Sequence, residues 1–192
     1  MEDNVYFAVL KLFGSRGARF TTEDLAKELG TSKRTIYTYF LNKEDMIDKT
    51  IDFVFADIIK NDNLILENQM LTTEEKLKLL CGNTPDTYNI SAIIRYREDL
   101  QKYYPESWKK LNLYLDDLWN SIIALSETED NSTERINTVV LRLMLKETLK
   151  GLLDYEFAVK NQLSFEQGIK AMYDIILFGI LKRKELADDS KR

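Results

Sequence analysis

The chain has 192 residues, with 27 Lys and Arg against 32 Asp and Glu for a formal net charge of −5, 44% hydrophobic residues, a single cysteine and no histidine. This is the composition of a folded, water-soluble chain with room for one ordinary domain and a small one. The missing histidine excludes Ser-His-Asp and Cys-His catalysis and His-ligated metal within one chain, and the lone Cys81 excludes an internal disulfide.

Chemistry by paired carboxylates remains possible in principle. No catalytic residue, metal or cofactor is expected, and the many carboxylates read as solvated surface. The opening MEDNVYFAVLKLF starts acidic, unlike a secretory leader. The longest apolar run, Ile175 to Leu181, falls far short of the ~20 residues that span a bilayer. A cytoplasmic protein without a membrane segment is the expectation.

Seven glycines and two prolines leave few backbone breaks, and Leu, Ile, Lys and Glu suit helices, so an all-α fold is expected. A first helix spans about Asn4 to Phe13, with Val5, Ala8, Val9 and Leu12 on one face, and GSRG ends it. A second opens on a Thr21/Asp24 capping box and closes on Gly30. The third is SKRTIYTYF, and Asn42 with Asp45 caps a longer fourth, in which Met46, Ile47, Thr50, Ile51, Val54 and Ile58 recur at helical steps.

Beyond about Asn61 the pattern changes. A short helix near Thr73 to Cys81 precedes the loop GNTPD, and a helix from about Asn89 to Tyr103 ends at the Tyr104-Pro105 boundary. The next runs from Pro105 to about Ser126. After the loop SETEDNSTE come two long helices, about Glu134 to Lys160 and Ser164 to Lys184, the last with a Ser164/Gln167 capping box. Residues 1–49 hold eight basic and eight acidic side chains, so the other 143 residues carry the whole −5. The front is the less repulsive end for a polyanion.

SKRTIYTYF is the most informative stretch. On a wheel of 100° per residue Ile36 and Phe40 share the buried side, against Leu25, Ala26 and Leu29. Arg34 and Thr38 point the opposite way, flanked by Lys33 and Tyr37 on one shoulder and Thr35 and Tyr39 on the other. Between Thr31 and Lys43 every charge is positive. Lys33, Arg34 and Lys43 stand in first turns, where the helix dipole disfavours a cation by ~0.3–1 kcal/mol, an arrangement that suits docked anions such as DNA phosphates. A helix, a Gly30-Thr31 turn and a donor-rich second helix make a helix-turn-helix.

The segment LFGSRGARFTTEDLAKELGTSKRTIYTYFLNKEDMI resembles the DNA-binding domain of the TetR/AcrR (tetracycline repressor-like) transcriptional regulators, most specifically through A-K-x-x-G-x-S-x-x-T-x-Y-x-Y-F-x-x-K-E-x at residues 26 to 45. The likeness covers the first quarter of the chain. The aromatic usual after the glycine is Ala18 here, with Phe20 in its stead. The resemblance implies a three-helix DNA-binding domain at 1–48 and a larger helical effector-binding and dimerisation domain at 49–192, about nine helices in all. Carried over by position, Lys33, Arg34, Thr35 and Tyr37 would face base edges or nearby phosphates, and Thr38, on the same exposed face of the wheel, is a further DNA-binding candidate. Tyr39 and Lys43 would grip the DNA backbone, and Thr21 or Thr22 would touch a phosphate. A ligand-responsive repressor, binding a near-palindromic operator as a homodimer, follows from the likeness. A helical ligand carrier, or a scaffold for a different protein, is the alternative from other classes.

The apolar C-terminal helix supports pairing on its own terms. Eight of ten residues from Met172 to Leu181 are apolar, more than one subunit's core can cover. One stripe holds Ile169, Met172, Tyr173, Ile176 and Ile180, another Ile175, Phe178 and Leu181; Val139, Leu143, Leu149, Leu152 and Leu153 form a wide face on the helix before. Periodicity leaves open which stripe faces outward, and the candidate dimer interface is Leu149, Leu152, Ile169, Met172, Tyr173, Ile176 and Ile180. For a small hydrophobic or aromatic effector the candidates are Tyr96, Arg97, Leu100, Tyr103, Trp108, Leu111, Tyr114 and Trp119, within an aromatic-rich stretch that also holds Tyr88, Ile93 and Ile94. Aromatics at this spacing are core more often than cavity lining.

Overall fold

The computed structural model describes residues 2–82, 96–127, 137–152 and 154–189, without the side chains of 2, 127, 155 and 180–189. Ten α-helices lie among them, and no strand. They are α1 Glu2–Arg16, α2 Thr22–Glu28, α3 Lys33–Tyr39, α4 Lys43–Glu67, α5 Thr73–Gly82, α6 Arg97–Tyr103, α7 Pro105–Glu127, α8 Thr138–Leu152, α9 Tyr155–Asn161 and α10 Phe165–Asp189, with one 3₁₀ turn at Gly17–Arg19. No helix among the described residues is long and apolar enough to cross a membrane.

The chain divides into two compact units. The first takes Met1–Ile58 together with the described part of Pro85–Leu115. Its core is built by α1 through Val5, Val9, Leu12 and Phe13, by α2 through Leu25, by α3 through Ile36 and Phe40, and by α4 through Met46, Ile51, Val54 and Phe55, all buried. Side chains of this kind contribute roughly 1.5–3 kcal/mol each when removed from water. Helix α1 continues past the expected end at Phe13, through Gly14, and stops where Gly17 takes φ +60°. A Cβ at Gly17 would also lie 2.5 Å from the Tyr96 ring, so the close seat of Tyr96 on this turn requires glycine.

Within the same unit α7 is tied to α4 by polar and aromatic contacts. Asp52 accepts from Lys110 Nζ at 2.7 Å and from Tyr114 Oη at 2.8 Å, and the Tyr114 ring stacks on Phe55 at 4.9 Å.

The second unit takes Ile59–Thr84 and Asp116–Arg192 in its described parts. Here α10 packs against α5 and α8. Leu77, Leu80 and Cys81 of α5, Leu141, Leu145, Leu149 and Leu152 of α8, and Ile169, Met172, Tyr173 and Ile176 of α10 are buried. Gly168 lets α8 approach, since a Cβ there would sit 2.2 Å from a Leu152 methyl. Burial pushes the Cys81 thiol up to about 12, so it stays protonated and unreactive at neutral pH.

Two expectations change. The helix expected over 134–160 is divided: α8 ends at Leu152 and α9 begins at Tyr155, because Asp154 caps a new helix by accepting from the Phe157 N–H at 2.9 Å. The candidate dimer residues Leu149, Leu152, Ile169, Met172, Tyr173 and Ile176 are buried within this one chain, so the inward stripe is theirs. The side chain of Ile180 lies outside the described residues, as do Tyr88, Ile93, Ile94, Leu153, the loop residues 83–86 and the helix expected before Tyr96. The stripe left uncovered holds Ile175 and Phe178, 67% and 74% exposed, with Val139, Leu143 and Met144 exposed on α8.

Candidate nucleic-acid interface

Local sequence explains how α2 and α3 come to be paired. Thr21 and Asp24 form a reciprocal capping box: the Asp24 N–H donates to Thr21 Oγ1 at 3.1 Å and the Thr21 N–H to the Asp24 carboxylate at 2.8 Å. At the other end Gly30 takes φ +62°, the Thr31 N–H reaches the Ala26 carbonyl at 2.8 Å and the Gly30 N–H that of Lys27 at 3.2 Å. That is the paired-bond stop of a Schellman motif, which turns the chain within four residues. Ser32 then caps α3, accepting from the Thr35 N–H at 3.2 Å. Ile36 and Phe40 are fully buried and α3 packs on α2, which turns the opposite face of α3 into solvent.

On that face Lys33, Arg34, Tyr37 and Thr38 are exposed, with Thr35 and Tyr39 half-buried at its edges. Their freedom differs. Thr35 Oγ1 lies 3.0 Å from Ser32 Oγ, Thr38 Oγ1 donates to the Thr35 carbonyl at 2.6 Å, and the Thr21 hydroxyl is engaged by Asp24. Tyr37 stands out at 56% exposure and Thr22 is half-buried.

Charge is less one-sided than the stretch alone suggests. Glu23, in the first turn of α2, lies 3.0 Å from Lys33 Nζ and 3.5 Å from Lys27 Nζ, and Lys33 lowers its carboxyl below the usual range. The expectation that no acid neutralises the α3 cations is therefore corrected for Lys33, because helix pairing brings in a carboxylate ten residues away in sequence. Such an exposed pair is worth little and yields readily to a phosphate. Arg34 keeps its charge free: among the described residues no carboxylate meets its guanidinium.

Lys43 departs further. Rather than facing outward to grip DNA, its ammonium donates to the backbone carbonyls of Ala18 and Phe20 and lies 4.5 Å over the Phe20 ring. Burial lowers its pKa, partly offset by Asp24. The Lys at this spacing is here an internal staple between the start of α4 and the turn ahead of α2. Phe20, replacing the aromatic usual at position 18, is completely buried with its ring 6.2 Å from that of Phe13.

The effector candidates differ in their settings. Leu100 and Leu111 are fully buried core, and Tyr96 packs edge-on against Phe13 at 5.9 Å. Tyr114 serves Asp52, Tyr103 is 53% exposed, Arg97 and Trp108 are half-buried, and Trp119 belongs to the second unit.

The capping box predicts an acid response. Hydrogen bonds from the Thr21 backbone N–H and hydroxyl, helped by Arg16, bring the Asp24 carboxyl from its ordinary 3.8 down to about 2. A depressed carboxyl stabilises the fold above its unfolded value, and that stabilisation is lost as pH falls from about 4 toward 2. Acid titration followed by far-UV circular dichroism should show helix loss in that window, and Asp24→Asn should remove that component.

Comparison with known proteins agrees with this geometry. Residues 8–50 match the family described as Bacterial regulatory proteins, tetR family. Over 187 residues, 96% of this chain and 98% of the other, it is 25% identical to YvaF of Bacillus subtilis (strain 168), named an uncharacterized HTH-type transcriptional regulator. Over 80 residues, 41% of this chain and 40% of the other, it is 32% identical to the nucleoid occlusion factor SlmA of Aliivibrio fischeri (strain MJ11). The crystal structure of the transcriptional regulator FadR from Bacillus subtilis, in complex with stearoyl-CoA, has the same fold at 18% identity, with a TM-score of 0.68 over 94% of this chain and 97% of that one. A head at residues 8–50 that matches the tetR family, an end-to-end relative named an HTH-type transcriptional regulator and a shared fold support reading the chain as a TetR-type DNA-binding transcriptional regulator.

Proposed function

We propose that the protein is a repressor that works in the cytoplasm as a homodimer without enzymatic activity, reads a near-palindromic operator through α3 and releases it on binding a hydrophobic effector. The observation that carries this reading is the unpaired Arg34 on the exposed face of α3, held outward by the burial of Ile36 and Phe40. A guanidinium so presented suits bidentate recognition of a guanine edge in the major groove. Tyr37, Thr38, Tyr39, Thr35, Lys33 and Thr22 surround it with donors for neighbouring bases and phosphates. In the bound state Lys33 exchanges Glu23 for a phosphate, while Thr21 stays with its cap.

Residues 1–48 read DNA and 49–192 hold partner and effector in this division of labour. Supporting the partner role, Val139, Leu143 and Met144 of α8 and Ile175 and Phe178 of α10 are exposed apolar side chains on two helices that pack together. For the effector, Tyr96 and Tyr114 offer a direct route to the head: one seats on Gly17, the other holds Asp52 of α4. A ligand that displaced either ring in one state only would shift the head's geometry, as differential affinity requires. Long-chain acyl-CoA is the first class to try, since FadR, which shares the fold, is seen with stearoyl-CoA.

The test is footprinting on DNA flanking the protein's own coding region, repeated with Arg34→Ala. A symmetric protected site is expected, with Arg34→Ala costing ~1–3 kcal/mol there and relaxing preference at one base step. An equal loss of affinity for every sequence would remove Arg34 from base reading.

A further inference from the structure

We infer that Arg19 is a second DNA anchor, gripping a phosphate from the turn between α1 and α2, and that Lys43 is the positioning residue that fixes this turn from inside. The inference rests on the DNA-binding reading above and deepens it by adding a contact that the motif does not supply.

Residues 1–49 carry eight cations. Lys11 is held by Glu28 at 2.5 Å, Arg16 by Asp24 at 2.6 Å, Lys27 and Lys33 by Glu23, and Lys49 by Asp45 at 2.9 Å. Lys43 is spent on two carbonyls. Among the described residues that leaves Arg34 and Arg19 as the cations without a carboxylate or carbonyl partner, and Arg19 is exposed. The first is at the centre of the recognition face. The second calls for its own explanation.

Local packing dictates where Arg19 points. Its neighbours Ala18 and Phe20 are both buried, 6% and 0% exposed, so the residue between them is turned to solvent. The carbonyls of those same neighbours accept from Lys43 Nζ, which pins the backbone on either side of Arg19. Gly17, with φ +60° and Tyr96 seated on it, closes the segment at its start, and the Thr21/Asp24 box closes it at its end. Arg19 thus projects from a short, immobilised strip two residues ahead of the α2 cap. With the backbone already fixed, binding has only the Arg19 side chain to order.

Its position fits the duplex. The Glu23–Lys33 pair shows that the first turn of α2 adjoins the first turn of α3, so the entry to α2 lies at the edge of the recognition face. In a helix-turn-helix the first helix crosses the DNA backbone while the second enters the groove. Arg34 then supplies base reading and Arg19 a sequence-independent phosphate contact, and two separated anchors set the head's orientation on the duplex.

The experiment is fluorescence anisotropy of the full-length protein on two labelled duplexes, one carrying the footprinted site and one unrelated, from about 50 to 200 mM salt. Arg19→Ala is expected to weaken both duplexes alike and to lower the salt slope by about 1, with Arg19→Lys restoring the slope. Lys43→Gln is expected to lower affinity while keeping the wild-type slope, and to shrink the effect of adding Arg19→Ala, the coupling a positioning residue must show. Should Lys43→Gln fail to fold, the Lys43 ammonium resonance of the wild type decides: slow proton exchange that persists on adding DNA supports the staple, and release from protection overturns it. A wild-type slope in Arg19→Ala overturns the anchor and leaves the regulator reading standing. A wild-type protein with no salt-dependent affinity for either duplex overturns both.

Discussion

Replacing Ile175 and Phe178 together with aspartate should give a folded monomer that binds a two-half-site operator roughly 10²–10⁴-fold more weakly than the wild type, the factor expected when two linked heads become one. Both side chains are largely in solvent, 67% and 74% exposed, so carboxylates at these positions disturb no internal contact. The stripe that builds the core of the second unit, Ile169, Met172, Tyr173 and Ile176, is untouched. A two-fold interface places each patch against its own copy, so every added charge faces a like charge, and the penalty is counted twice. Sedimentation velocity and binding to whole and half operators check the outcome. A dimer that survives the double change would move the interface elsewhere.

Phe20→Ala should destabilise the head by about 3–5 kcal/mol, a large share of what a small domain has. The ring is completely inaccessible, contacts Phe13 and carries the Lys43 ammonium 4.5 Å above its centre. Truncation leaves a cavity and removes the face that helps a partly buried cation tolerate its site. Phe20→Leu, which keeps most of the volume, should cost much less. Denaturant unfolding followed by circular dichroism measures both, and DNA affinity should fall in parallel with the stability loss. A near-neutral Phe20→Ala would mean that the turn ahead of α2 is held by Lys43 and the capping box alone.

Much of the architecture was legible because it is local. Capping residues, the Gly30 stop and the 3.6-residue recurrence of Ile36 and Phe40 act over a few positions, and the structure reproduces the α2–turn–α3 unit they imply. The break at Asp154 is not legible, because an aspartate inside an apolar helical pattern reads as a surface residue until its side chain is seen capping Phe157. Partnerships across helices were not legible. That Glu23 would meet Lys33, that Lys43 would turn inward to Ala18 and Phe20, and that Asp52 would hold Lys110 and Tyr114 from 58 and 62 residues away all depend on packing. The two stripes of α10 were visible as periodicity, but only the contacts with α5 and α8 decide which is inward.

Arg19 shows the same limit from the other side. In the sequence it is one of eight cations in a neutral segment, and nothing in its neighbours sets it apart. Only when the ion pairs of the others are known does it emerge as free.

The most direct test of the central claim is the affinity of the wild-type protein for duplex DNA as a function of salt. Log affinity should fall linearly with log salt, with a slope of several units, and the protected site should be symmetric. Binding that is undetectable at low ionic strength, or indifferent to salt, would contradict it.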